Sequence, residues 1–325
     1  MRIRRFLWRS WLVPLVLPLL AACGQGGEAE RLVASAEQSS TAGQLRVAAE
    51  LYHQAAGLRP RAFETQFQAA VLDLQLGHVN VAEQHLRQAI SLRPDSGLAH
   101  LNLGVVFVKQ GREEEGRKEF LEALRVDPGL TRAYYNLGVL ELDDARFEEA
   151  ELLFKKALAI DPTHHASYVR LGNLYVKQRK FSEAMKVLEQ ALRLNPDHPP
   201  TFFNLGLAYD GLKMYEQSLA AFKKAIALNP AYAVAHYNLG TLLLTMGSYD
   251  EAIQPLQEAI RLDPRFGDAL YNLAAAYAHL GVKANALQWL KRAIQLNPAL
   301  ASEARKGADF QSLRADPDFL TITQP

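Results

Sequence analysis

Apolar and small residues recur along this 325-residue chain on two scales, every three or four residues within short stretches and every 34 residues between them. Pro60, Pro94, Pro128, Pro162, Pro196, Pro230, Pro264 and Pro298 mark the longer period, and five residues before each stands an alanine, from Ala55 to Ala293. With each proline set at position 32 of its unit, positions 4, 7, 8 and 11 line one face of a helix, as in Phe202, Leu205, Gly206 and Tyr209. Positions 20, 24 and 27 line a second helix, as in Ala150, Phe154 and Ala157. Position 8 is Gly104, Gly138, Gly172, Gly206 and Gly240 in the middle units. Glycine inside a helix costs about 0.5–1 kcal/mol relative to alanine, so five in register predict a close approach by a neighbouring segment. The two helices are separated near position 15 by Gly43, Gly77, Gly111, Gly247 or Gly281. Each second helix should stop at an Asp-Pro, Asn-Pro or Arg-Pro pair, because the residue before proline avoids helical dihedrals. Pro255, at position 23, predicts a kink inside the seventh second helix.

A 34-residue helix-turn-helix with this small-residue frame resembles the tetratricopeptide repeat, although the tryptophan often found at position 4 of that repeat is absent throughout. The resemblance covers residues 29–298 as eight units: 29–62, 63–96, 97–130, 131–164, 165–198, 199–232, 233–266 and 267–298. It implies an all-α fold, a right-handed α-solenoid of eight helix-turn-helix repeats with a C-terminal capping helix. Residues 299–325 are expected to supply that cap, since a terminal unit otherwise leaves an apolar face uncovered.

Ahead of the repeats, Arg2, Arg4, Arg5 and Arg9 precede an apolar run from Trp11 to Ala22. That run has the length of a signal-peptide core and is too short for a spanning helix. Leu20-Ala21-Ala22-Cys23-Gly24 resembles the lipobox of bacterial lipoproteins. The resemblance implies that residues 1–22 are a cleaved signal peptide, that Cys23 is lipidated, and that residues 23–28 are a short tether. Two or more acyl chains hold a protein stably at a membrane, where one does not. Gly24 stands where enteric lipoproteins retained at the inner membrane carry Asp, which favours the periplasmic face of the outer membrane. Of the 36 Lys and Arg, four leave with residues 1–22 and no acid does, so 32 basic side chains face 35 acidic ones. That balance gives no electrostatic footprint for nucleic acid.

No nucleophile elbow, H-E-x-x-H, P-loop or dinucleotide-binding glycine motif is present, so neither an enzyme nor a cofactor is expected. The best-placed metal ligands, His164, His165 and His198, fall in inter-repeat turns without a cysteine or a clear fourth ligand, and no metal site is expected there. The informative surface is the remaining face of the first helices. Position 6 reads Asn102, Asn136, Arg170, Asn204, Asn238 and Asn272, and position 5 includes Tyr135, Phe203, Tyr237 and Tyr271. Asparagine is a mediocre helix former, so its recurrence needs a reason. Either the amides address an extended peptide in a concave groove, with the aromatics giving apolar contact, or they bridge neighbouring helices on a crowded face. The Tyr-Asn-Leu-Gly strings at 135–138 and 237–240 resemble the asparagine ladder of O-linked N-acetylglucosamine transferases, and the resemblance implies amides that hold a peptide main chain. The expected function is a non-enzymatic, lipid-anchored protein-interaction scaffold of the bacterial envelope, with a pilotin-like part in pilus-secretin assembly suggested by analogy. A transferase fragment and a self-assembling structural protein are the alternatives; the 27 residues after Pro298 are too few for a catalytic domain.

Overall fold

A computed structural model describes residues 27–324, which pack as two compact units, one ending at His164 and the other beginning at His165. The signal-peptide segment and Cys23 lie outside the described residues. Among the described residues every regular element is helical, and no helix is long and apolar enough to cross a membrane.

The first unit holds four helix pairs: α1 (Glu28–Thr41) with α2 (Leu45–Leu58), α3 (Phe63–Leu76) with α4 (Val79–Leu92), α5 (Gly97–Lys109) with α6 (Glu113–Val126), and α7 (Thr131–Asp143) with α8 (Phe147–Ile160). The second unit repeats the scheme with α9 (His165–Lys177) and α10 (Phe181–Leu194), α11 (Pro199–Gly211) and α12 (Tyr215–Leu228), α13 (Ala233–Thr245) and α14 (Tyr249–Leu262), and α15 (Gly267–His279) and α16 (Lys283–Leu296). Within each unit a second helix packs on the first helix of the next pair, and first helices also touch one another, as α3 touches α5 and α9 touches α11.

The turns follow from side-chain chemistry. Before the closing proline, Asp127 Oδ1 accepts from the Gly129 amide at 2.9 Å, and Asp161, Asn195, Asn229, Asp263 and Asn297 accept likewise from the residue two ahead. These Asx turns hold the chain as it leaves the helix, while proline prevents its continuation. At position 15 the backbone turns left-handed, with φ of 82° at Gly77. The three units without glycine there adopt the same conformation at Ala145, Arg179 and Lys213, with φ near 60°.

Inside each pair the position-8 glycines make room for the side chain at position 24. A Cβ placed on Gly138 would lie 2.7 Å from Phe154 Cε1, and one on Gly206 would lie 2.5 Å from Phe222 Cε1. The close approach expected from sequence is thus made chiefly by a ring, which is fully buried in Phe154. Burial of such a side chain contributes about 1.5–3 kcal/mol. Helix α14 runs unbroken through the buried Pro255, so the proline does not end the helix there.

After α16 the chain forms α17 (Leu300–Lys306), a 3-10 turn (Ala308–Leu313) and α18 (Pro317–Ile322). Phe310 and Phe319 are buried, and Phe310 meets the edge of Tyr271 at 5.3 Å between ring centres. Lys283 of α16 pairs with Asp316, whose carboxylate also caps α18 by accepting from the amides of Asp318 and Phe319. The tail therefore covers the apolar face of the last repeat.

Candidate peptide-binding surface

The first helices carry the residues singled out by the repeating asparagines, and the structure divides those residues by depth. Asn102, Asn136 and Asn204 are buried, at 5%, 9% and 4% exposure, whereas Arg170, Asn238 and Asn272 are half-buried. In the second unit two amides bridge neighbouring first helices at position 9. Asn173 Nδ2 donates to Asn204 Oδ1 at 3.2 Å, and Asn272 Nδ2 donates to Thr241 Oγ1 at 2.9 Å. Asn238 Nδ2 donates to the Val234 carbonyl one turn earlier, at 2.8 Å. Part of the reason for asparagine at position 6 is therefore structural: its amide closes hydrogen bonds on a crowded helix face. An amide offers two donor hydrogens and an acceptor oxygen, so one such bond leaves capacity where the side chain reaches solvent.

Position 5 is divided by depth in the same way. Tyr135 and Tyr271 are each 7% exposed and act as packing residues. Tyr135 lies against Phe154 and His164 at ring-centre distances of 6.0 and 5.3 Å, and Tyr271 lies against Phe310 of the cap. Aromatic rings gain most when both faces leave water, and the repeat supplies a ring or aliphatic partner at position 24. Phe203 and Tyr237 share this packing, with Phe222 and Tyr232 around the first and Phe266 beside the second, yet both remain half-buried. Burial holds the Tyr237 phenol above its ordinary range, so its hydroxyl stays a neutral hydrogen-bonding group at neutral pH.

Of the histidines in the inter-repeat turns, His165 and His198 meet edge to face at 4.6 Å in the second unit, and His198 Nδ1 lies 2.8 Å from Thr201 Oγ1. His164 belongs to the first unit, packed on Tyr135. The grouping that sequence reading missed is elsewhere: His53, Asp73 and His85 place potential ligand atoms within 4.8 Å of one another. They occupy positions 25, 11 and 23 of two adjacent repeats, so no spacing motif connects them. Laying consecutive repeats side by side and reading across them was the available signal.

Family models of the tetratricopeptide repeat match residues 95–163, 141–205, 201–265 and 237–301, leaving no gap between 95 and 301. No curated protein sequence matches the chain. Among solved structures, it is similar to YrrB, described as a TPR protein with an unusual peptide-binding site, at 29% identity and a TM-score of 0.48, covering 58% of this chain and 98% of that one. It is similar to PilF of Pseudomonas aeruginosa at 22% identity and a TM-score of 0.58, covering 69% of this chain and 98% of that one. Similarity to the Cut9–Hcn1 assembly of the APC/C reaches a TM-score of 0.62 at 16% identity, covering 88% of this chain and 55% of that one. At such identities the last two bear on the fold alone. The paired helices of the structure and the unbroken run of family matches agree, and the chain is a tetratricopeptide repeat protein.

Proposed function

We propose that this protein is a non-enzymatic interaction scaffold that takes an extended segment of a partner protein along the inner row of first helices and is held at an envelope membrane by lipid on Cys23. The observation that carries the binding reading is the mixed surface of the second unit. There the half-buried Phe203, Leu207, Tyr237, Asn238, Thr241 and Asn272 put apolar and amide groups on one layer of adjacent helices. An extended peptide presents alternating side chains and a main chain rich in donors and acceptors, and both find partners there. Anchorage rests on the lipobox-like Leu20–Gly24 and the basic, apolar segment before it. Four residues lie between Cys23 and the first helix, and the five steps from Cys23 to Glu28 span at most about 18 Å when extended, which keeps the repeats near the membrane surface. A scaffold so placed suits the assembly of an envelope complex, a pilus secretin among them.

The test pairs half-buried with buried amides. Proteins captured from native envelope by wild-type protein are compared with those captured by Asn238→Ala/Asn272→Ala and by Asn102→Ala. Each amide-to-backbone bond contributes about 0.5–1.5 kcal/mol, so the double variant should weaken capture of the true partner about 5- to 150-fold. The buried Asn102 variant should leave it intact. Equal capture by all three proteins at unchanged helicity would remove the inner row from consideration. Cys23→Ala should move the protein out of the membrane fraction, and unmodified Cys23 in membrane-bound protein would overturn the anchor.

A further inference from the structure

Where the first repeat packs on the second, three histidines surround one buried carboxylate. Asp73 of α3 is fully buried. His53 of α2 places Nε2 at 2.8 Å from Asp73 Oδ2, and His78, in the turn before α4, places Nδ1 at 3.2 Å from Asp73 Oδ1. His85 of α4 stacks on His53 with ring centres 5.1 Å apart and planes 13° from parallel. Gln66 fixes the tautomer of His85. Its Nε2 donates to the Pro60 carbonyl at 3.4 Å, which leaves Oε1 as the acceptor 2.6 Å from His85 Nδ1. His85 therefore carries its proton on Nδ1 and a lone pair on Nε2.

The same position two repeats later is handled differently. Glu141, also at position 11 and buried, is paired with Arg117 and Arg146, two permanent cations. Asp73 instead meets imidazoles, which are charged only when protonated and are otherwise ligands. The outer contacts also have the form of a metal centre's supporting shell: Gln66 orients His85, and His78 holds the second oxygen of Asp73.

We propose that His53, Asp73 and His85 form a site for a divalent transition metal, zinc above all, that clamps the first repeat to the second. Two imidazole nitrogens, one carboxylate oxygen and a water complete a tetrahedral zinc shell. Ligand atoms about 2.0–2.1 Å from zinc lie about 3.3 Å apart. The His53–Asp73 contact must open slightly from 2.8 Å, and the separations of up to 4.8 Å must close. His53 has the room to do this, its side chain being 35% exposed. The clamp would act across the α2–α3 junction, on whose core the partly buried Val33, Leu45, Leu51 and Leu76 also pack. The core of this repeat junction consists of Ala36, Ala48, Ala49 and Ala69 with only Tyr52 and Leu72 as large members.

The test uses the full-length chain without an affinity tag. Titration with zinc chloride should give one equivalent bound at micromolar affinity or tighter and raise the melting midpoint. Cobalt(II) in its place should give the visible absorption of a four-coordinate ion. His53→Gln and His85→Gln should each weaken binding at least tenfold, while His198→Gln leaves it unchanged. In the unaltered protein, zinc should shield His53 and His85 from diethylpyrocarbonate, mapped by mass spectrometry, which needs no variant to fold. Absence of stoichiometric binding, unchanged binding in both variants with native circular dichroism, or equal loss with His198→Gln would overturn the site.

Discussion

Ala145, Arg179 and Lys213 hold a left-handed backbone that five other repeats assign to glycine. For a residue with a Cβ that conformation costs about 1–2 kcal/mol, of which glycine's greater unfolded entropy returns a part. Each of these residues changed to Gly should therefore stabilise the protein by about 0.5–1 kcal/mol, and Gly77→Ala should do the reverse, both read from urea unfolding. Two histidines give opposite pH signatures. Burial, reinforced by His165, holds His198 down at about 4, so between that pH and the ordinary value near 6.5 the unfolded chain binds more protons than the folded one. Its contribution is present above about pH 6.5 and lost as pH falls towards 4. Urea midpoints at pH 7 and pH 5 should differ less in His198→Gln than in wild type. The Glu119 hydrogen bond, at 2.6 Å, raises His100 against the opposing effect of burial. Its contribution is present below the ordinary value and lost as pH rises through the folded one, and His100→Gln should remove that loss.

The helix pair is the element in which sequence and structure correspond most closely. Ala157, at the repeating position 27, is fully buried, so Ala157→Phe should overpack it and cost about 1–3 kcal/mol. Glu148→Ala on the exposed side of the same helix should stay within about 0.5 kcal/mol. Thermal or denaturant unfolding of the two variants decides the point. Helix limits were legible because proline, glycine and Asx residues act on the backbone locally, as at Asp161-Pro162. The binding surface was only half legible. Positions 5 and 6 are about 100° apart around a helix, and which of them faces solvent depends on rings from elsewhere in the stack, such as Phe154 and His164 around Tyr135. That information belongs to the stack and not to one unit's pattern. The His53, Asp73 and His85 grouping was invisible for the same reason, being shared by α2, α3 and α4.

At the scale of the molecule, the C-terminal tail is an integral part of the last repeat's core, as Leu270, Leu273 and Tyr271 share one cluster with Phe310, Leu313 and Phe319. Phe310→Ala should cost about 3–5 kcal/mol in the second unit, and truncation after Pro298 should expose enough apolar surface to drive association, measurable by light scattering. Outside that tail, the helices in substantial contact within each unit are one or two places apart in the chain. Damage to such a molecule stays where it occurs: a repeat that opens disturbs its immediate neighbours and leaves distant ones closed. Amide hydrogen exchange in the first unit should accordingly be graded, fastest in α1 and α2 over their alanine-rich junction and slowest in the interior pairs. Zinc bound at the clamp should flatten that gradient. An array of this kind can also gain or lose whole 34-residue blocks and still close its junctions, because each block carries the same buried alanine at position 27 and ends in the same proline turn.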